Sequence, residues 1–310
     1  MVVMLYFDYC KKENVFLSVF FHDVIIIVYF CSMKSPKEIT VEQWLMRLTQ
    51  ELIDITPEED NLPLHVIHDL INNKEIQAVQ DYANKVSITR LGYNDHGPVH
   101  MRTVCHNALR MLKLLYTAGI PTTLQTEQVG TFDDSVTAVA LASFCHDFGM
   151  TIGRQDHELY SGILAYNIID GILQKNLPNE RDLMRRVVIR STAMEGILGH
   201  MGTRKVHSIE AGIVLIADGC DMTKGRARVP IVIHSTPKMG DIHKYSANSI
   251  DRVLIQKGKE RPIQIIVQMS AEVGLFQIEE VLLPKINSSP AKEYIELYAC
   301  VEGEEPKRYL

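Results

Sequence analysis

The chain lacks three patterns that would have assigned it to a broad class. Its six cysteines include no CxxC pair, so the sequence offers no thiolate zinc site, and a reduced, cytoplasmic setting is the economical expectation. It has no dense run of Lys and Arg, and its net charge is −6, which argues against a nonspecific nucleic-acid binder. It also has no charge-free apolar run long enough to span a bilayer, so no membrane association is expected.

The most apolar stretch, Val15–Ser32, has His22 and Asp23 at its centre. A carboxylate at mid-membrane costs about 3 kcal/mol, and the apolar residues that follow it are too few to cross a membrane. We therefore interpret residues 1–35 as an apolar N-terminal extension. We expect residues 1–32 to be upstream sequence translated in error, or a loosely attached segment.

What is present is typical of a globular protein: 46% of the residues are hydrophobic and 23% are charged. Within residues 36–230, apolar residues recur at spacings of three and four, which predicts helices. After Pro230 the pattern changes to alternation, in the order strand, strand, helix, strand. The sequence therefore predicts a mainly α domain at 36–230, followed by a small α+β (ββαβ) domain at 231–310 for regulation or oligomerisation. We expect the protein to be a homo-oligomer.

His146 and Asp147 follow an apolar segment, Ser135–Cys145, that reads as a helix buried on most of its faces, with Gly149 placed to cap its C-terminus. Polar groups in such a setting need partners, either hydrogen-bonding groups or a cation. Three further segments also carry polar groups within the helical region. They are Gly92–His100 with His96 and His100, the pair His157-Glu158, and Ala217–Arg228 with Asp218 and Asp221.

This set of side chains suits a metal ion. Histidine and carboxylate ligands without thiolate favour a divalent Mn, Fe, Ni, Co, Mg or Zn ion, which can activate water and polarise a phosphoryl oxygen. Lys224, Arg226 and Arg228 follow the last carboxylates and are candidates for binding a substrate phosphate. A metal ion, an activated water as nucleophile and cations that bind phosphate are together what phosphoester hydrolysis requires.

The order of these segments resembles the HD-domain metal-dependent phosphohydrolase superfamily, over about residues 90–228. The resemblance implies an HD-like helical bundle with His100, His146, Asp147 and Asp218 as metal ligands, and Asp147 orienting the attacking water. The spacing of His96 and His100 is also similar to the HNxxH segment of cyclic-nucleotide phosphodiesterases, which makes His96 the candidate general acid.

Members of the superfamily that bind two metals carry further histidines after the His-Asp pair. His157 matches these best and His200 less well, and whether one or two ions bind stays open. The chain departs from the cyclic-dinucleotide branch, because Met150 stands where that branch has lysine and the Gly-Tyr-Pro signature is missing. The expected substrate is therefore a small phosphomonoester or phosphodiester, with a nucleotide favoured.

Each candidate also has a structural interpretation. His146 and Asp147 can form a hydrogen-bonded structural pair, and His96 can be a turn residue. His157 can be a polar residue at a helix N-terminus, and the three cations can be a solvated helix end. Asp221 is either a partner of a metal ligand or a helix-end acid, with the first favoured. We interpret the other histidines as structural or surface residues: His65, His68, His106, His207, His234 and His243.

Two alternatives to the phosphohydrolase remain. The first is a nucleotide- or metal-binding signalling module with little turnover that acts through its C-terminal domain. The second is a hydrolase that captures RNA through residues 231–310, which predicts salt-sensitive RNA binding; nucleic acid is not the favoured partner.

Overall fold

The structure, a computed structural model, describes residues 34–56, 61–224 and 242–310. It also describes the backbone of two short antiparallel strands, β1 (Phe20–Phe21) and β2 (Val24–Ile25). The rest of residues 1–33 lies outside the described residues, and so do the expectations placed on the N-terminal extension. Among the helices that are described, none combines the length and the apolar character needed to cross a bilayer.

The first two thirds of the described chain are helical, as the periodicity predicts. The helices are α1 (Pro36–Ile55), α2 (Leu62–Asn72), α3 (Lys74–Lys85), α4 (Pro98–Thr117), α5 (Thr123–Thr126), α6 (Phe132–Cys145), α7 (His157–Asn176), α8 (Leu183–Gly199) and α9 (Ile209–Cys220). A π-helical turn at Val86–Leu91 extends α3, and a 3₁₀ turn at Phe148–Thr151 follows α6.

Helix α6 is the central element of the helical region. All of its residues are buried, and it packs against α2, α4, α8 and α9. Its N-terminus is fixed by a capping box in which Thr131 and Asp134 exchange hydrogen bonds. Because the helix is surrounded along its whole length, the residues that follow its C-terminus lie deep in the protein.

The glycine after α6 has a different role from the predicted one. Gly149 lies inside the 3₁₀ turn rather than at a left-handed cap, and the cap position is taken by His146 with φ of −59°. A side chain at Gly149 would lie 2.8 Å from the backbone nitrogen of Ser161 and closer still to the carbonyl oxygen of His157. The helix-cap prediction was therefore wrong: glycine is needed here so that the turn can approach the backbone of α7.

The C-terminal region has a mixed sheet of order β3-β4-β5-β6, in which β4 pairs antiparallel with β3 and parallel with β5. The predicted order strand, strand, helix, strand is present, and a short fourth strand follows it. The elements are α10 (Ile242–Asn248), β3 (Ile250–Lys257), β4 (Ile263–Met269), α11 (Leu275–Gln277), a π-helical turn (Ile278–Leu282), α12 (Leu283–Ser288), β5 (Ile295–Val301) and β6 (Lys307–Arg308).

The sheet and the helical region share one continuous set of buried apolar side chains. Residues 225–241, which contain the predicted domain boundary, lie outside the described residues. Helix α12 packs against α9, so the C-terminal region reaches the helix that carries Asp218. The prediction of a mainly helical protein with a small C-terminal α+β region is confirmed.

Candidate metal centre

Three helices bring the four predicted ligands together. His100 lies in the first turn of α4, His146 and Asp147 directly follow α6, and Asp218 lies in the last turn of α9. All four side chains are buried. Since α4, α6 and α9 pack against one another, residues far apart in the sequence meet at one place.

The donor atoms of these residues have the spacing of ligands around a single ion. The Nε2 atom of His100 lies 3.2 Å from Nε2 of His146, 3.2 Å from Oδ1 of Asp218 and 3.3 Å from Oδ2 of Asp147. Ligands bonded to one small divalent ion stand about 3.0 to 3.4 Å apart, as bonds of roughly 2.1 Å require. We call these four residues the first donor set.

A second donor set lies on the other side of Asp147. Its Oδ1 atom is 3.3 Å from Nε2 of His157 and 3.5 Å from Nε2 of His200, and these two nitrogens are 3.1 Å apart. Asp147 thus contributes Oδ2 to the first set and Oδ1 to the second. His157 was a predicted ligand, whereas His200 was only a weak match in the sequence. It becomes recognisable because α8 ends beside α7.

The orientation of the rings favours metal binding over a simple hydrogen-bonded cluster. A backbone carbonyl can only accept a hydrogen bond, so a ring nitrogen that contacts one must carry a proton, and in the neutral ring the other nitrogen keeps its lone pair for a metal ion. Three rings donate from Nδ1 in this way, and each directs Nε2 into the cluster. The pairs are His146 with Ser143 (2.9 Å), His157 with Arg154 (2.9 Å) and His200 with Ile197 (2.7 Å).

His100 is oriented by a carboxylate instead. Its Nδ1 atom lies 2.7 Å from Oδ2 of Asp221, which follows α9. A carboxylate behind a ligating imidazole fixes its tautomer and makes it a stronger donor. The structure therefore places Asp221 against a candidate ligand, the first of the two interpretations that its sequence position allows.

The local charges keep both carboxylates ionised. Burial alone would raise the pKa of Asp147, but the rings of His146 and His96 hold that pKa well below its usual range. Burial is likewise outweighed at Asp218 by Lys285 and by the neighbouring rings, so its pKa is also well below the usual range. Burial lowers the pKa of His200 to about 4, which keeps that ring neutral. Ionised carboxylates and a neutral imidazole are the forms that bind a cation.

Lys285 is a member of the site that the sequence did not reveal. It lies on α12 in the C-terminal region and is only 8% exposed. Its ammonium group pairs with Oδ2 of Asp218 and donates a hydrogen bond to the carbonyl oxygen of His200 at 2.8 Å. One C-terminal cation thus contacts a residue of each donor set. In the sequence it reads as an ordinary lysine near a helix C-terminus, where cations are common.

His96 lies at the edge of the first donor set. Helix α4 begins at Pro98, so His96 precedes the helix rather than sharing a helical face with His100, yet the two ring centroids are 5.8 Å apart. The Nδ1 atom of His96 donates to the carbonyl oxygen of Asn94 at 2.6 Å, and the hydroxyl of Ser87 lies 2.8 Å from the same nitrogen. The ring is therefore fixed from behind, as the rings of the donor sets are.

Lys224, one of the three cations predicted to bind a substrate phosphate, does not contact the cluster. Its ammonium group forms an ion pair with Asp251 of β3 at 2.7 Å, and its side chain is 58% exposed. Lys224 is therefore solvated, as in the alternative interpretation, but it does not lie at the end of α9, because that helix ends at Cys220. Arg226 and Arg228 lie outside the described residues.

Comparison with known proteins identifies one relative. The chain is 41% identical to uncharacterized protein MJ1020 of Methanocaldococcus jannaschii over 245 residues, which cover 79% of this chain and 92% of the archaeal protein. No family model matches the chain, and no solved structure gives a significant match.

Proposed function

We propose that this chain, which belongs to one family with protein MJ1020 of Methanocaldococcus jannaschii, is a metal-dependent phosphohydrolase with an HD-like helical domain. The observation that carries the proposal is the convergence of His100, His146, Asp147 and Asp218, from three helices, at the spacing of ligands around one ion. The adjacent second set, centred on Oδ1 of Asp147, supports a centre for two ions.

The donor chemistry fits a divalent transition metal or magnesium. Such an ion, when bound, supplies a nucleophile from water at neutral pH and stabilises charge on a phosphoryl oxygen. Asp147 serves both donor sets, because each of its oxygens faces a different pair of histidines. In the proposed mechanism it would also orient the attacking water. The substrate is a small phosphomonoester or phosphodiester, with a nucleotide favoured.

His96 is the proposed general acid. Its Nδ1 proton is held by the carbonyl oxygen of Asn94, so the proton that passes to the departing oxygen is carried on Nε2. The ring lies beside His100 and outside the donor sets, next to the place where the ester would bind. Burial to 8% exposure shields this step from bulk water.

A panel of phosphomonoesters and phosphodiesters with Mn, Fe, Co, Ni, Mg and Zn tests the proposal. We expect turnover with at least one pair of ester and ion, and a loss of at least about 100-fold in His146→Ala. The matched control is His106→Ala, a histidine of α4 that stacks near Trp44 outside the cluster. Absence of turnover with every pair, or equal turnover in His146→Ala and the wild type, would refute a hydrolase centred on this cluster.

One observation favours the second candidate, a signalling module with little turnover. Lys285 connects the C-terminal region to both donor sets, so an event in that region can reach the centre through one side chain. This candidate predicts tight binding of a nucleotide or metal without turnover in the same panel.

A further inference from the structure

Arg154 lies over the second donor set. Its Nη1 atom is 3.5 Å from Nε2 of His157, and its Nη2 atom is 3.6 Å from the sulfur of Met201, the residue after His200. The guanidinium group therefore extends from one histidine of the set towards the other. His157 and His200 are buried while Arg154 is only half-buried, which places the guanidinium between the donor set and solvent.

The backbone of Arg154 fixes this position. Its carbonyl oxygen accepts the hydrogen bond from Nδ1 of His157 at 2.9 Å. The same residue therefore orients the His157 ring through its backbone and contacts Nε2 of that ring through its guanidinium. This hydrogen bond fixes the backbone of Arg154 beside the donor set, and the contacts of Nη1 and Nη2 place the guanidinium over it. A cation held so near metal ligands is unfavourable once ions are bound, unless an anion lies between them.

Within the described residues, no carboxylate forms an ion pair with Arg154, in contrast to three other buried or half-buried cations of the chain. Arg185 pairs with Asp134, Arg190 with Asp170 and Lys285 with Asp218. A guanidinium offers a planar fork of donors that matches two oxygens of a phosphoryl group. Arg154 lies beside the donor set, and no carboxylate among the described residues neutralises it. It therefore suits the phosphate-binding role that the sequence predicted for Lys224.

An aromatic ring lies beside this cation. The centroid of Tyr93 is 5.9 Å from Cζ of Arg154, and the side chain is 44% exposed. Its backbone nitrogen donates to the carbonyl oxygen of Ser87 at 2.9 Å, which anchors the segment that also carries His96. Exposed aromatic rings bind nucleobases by stacking, without preference for one base.

Resting on the proposed function, we propose that Arg154 and Tyr93 bind the substrate of the same centre and select a nucleotide. Arg154 holds the phosphoryl group over the donor sets, and Tyr93 stacks on the base, with the sugar between them. The ligand is a nucleoside monophosphate or an ester of one. Affinity for the phosphate comes mainly from Arg154, and preference for a nucleotide over a simple phosphate comes from Tyr93.

Binding measurements on the metal-loaded full chain separate these two roles. The probes are inorganic phosphate and a non-hydrolysable phosphonate analogue of adenosine 5′-monophosphate, titrated calorimetrically, with metal content determined in every variant. We expect Arg154→Met to weaken the binding of both probes by about 10- to 100-fold at unchanged metal content, because hydrogen bonds between the guanidinium and the phosphate are lost. Arg110→Met, the same change at an exposed position of α4, leaves both affinities unaltered.

Substitutions of Tyr93 test whether its ring binds the base of the nucleotide. We expect Tyr93→Leu to weaken the nucleotide analogue by about tenfold, the size of one lost stacking contact, and to leave inorganic phosphate unaffected. Tyr93→Phe keeps the ring and therefore keeps the affinity for both probes.

The outcomes distinguish a failure of this inference from a failure of the proposed function on which it rests. If the wild type hydrolyses phosphoesters and Arg154→Met binds both probes as tightly as the wild type, the assignment of Arg154 is overturned and the hydrolase stands. A fall in metal content in Arg154→Met would overturn it too, because the residue would then only support His157. If the wild type binds neither probe and hydrolyses nothing, the proposed function and this inference fail together.

Discussion

The close approach of Gly149 to α7 makes a sharp prediction for Gly149→Ala. The added methyl group would meet the carbonyl oxygen of His157, which must withdraw by roughly 1.5 Å to reach an ordinary contact distance. That carbonyl belongs to the first residue of α7, whose ring lies 3.3 Å from Asp147 and 3.1 Å from His200. Metal sites tolerate ligand displacements of about 0.2 Å, so the shift is several times too large for the second donor set.

We therefore expect Gly149→Ala to lower the metal content and to destabilise the fold by about 1 to 3 kcal/mol, the usual cost of overpacking. For a chain of 310 residues, that corresponds to a fall in Tm of about 1.5 to 5 °C. The matched control is Gly153→Ala, where an added methyl group meets nothing within 4 Å. Elemental analysis and thermal unfolding are the assays. Wild-type metal content and Tm in Gly149→Ala would refute the reasoning from close packing.

Further variants test the charges and the sharing of Asp147. His157→Ala should remove metal only from the second donor set. Asp147→Asn should lower the metal content of both sets, because its two oxygens serve different sets. Elemental analysis of both variants, with His106→Ala as control, tests this. Lys285→Met should destabilise the metal-free protein by about 3 kcal/mol, because it removes the ammonium group that pairs with the buried Asp218, and the loss should shrink when a divalent ion replaces the missing charge. Lys224→Met removes an exposed pair and should cost no more than about 1 kcal/mol in the same denaturant titrations. Arg102→Met should destabilise by about 3 to 5 kcal/mol, since Arg102 is fully buried and binds Glu42, Gln80 and Gln77, while the exposed Arg110→Met should be nearly neutral.

The helices and several of the metal-site candidates could be predicted because local patterns carry them. Apolar periodicity locates α4, α6 and α9, and a histidine or carboxylate at the end of a buried helix is conspicuous. The same reasoning gave the strand order of the C-terminal region, including the helix between β4 and β5. In these cases, the residue and the element that places it are neighbours in the sequence.

The parts that could not be predicted depend on contacts between distant segments. Lys285 is a plain helix-end lysine until α12 packs on α9, and His200 is one of several histidines until α8 ends beside α7. Gly149 fits a helix cap in the sequence, and only the neighbouring backbone reveals why a side chain is excluded. The charge of Lys224 was recognised, but not that Asp251, 27 residues later, neutralises it.

The pairing of Asp218 with a lysine 67 residues further along has a consequence for biosynthesis. At translation rates of about 5 to 20 residues per second, Asp218 leaves the peptidyl-transferase centre roughly 3 to 13 seconds before Lys285, and the other residues of both donor sets leave it earlier still. During that interval the aspartate is without its permanent counter-charge, and a nascent chain has more excess negative charge at these helices than the finished protein. An ion that binds Oδ1 of Asp218 in this interval therefore arrives before Lys285 can pair with Oδ2, and the last helix then docks on a centre that already holds its ion.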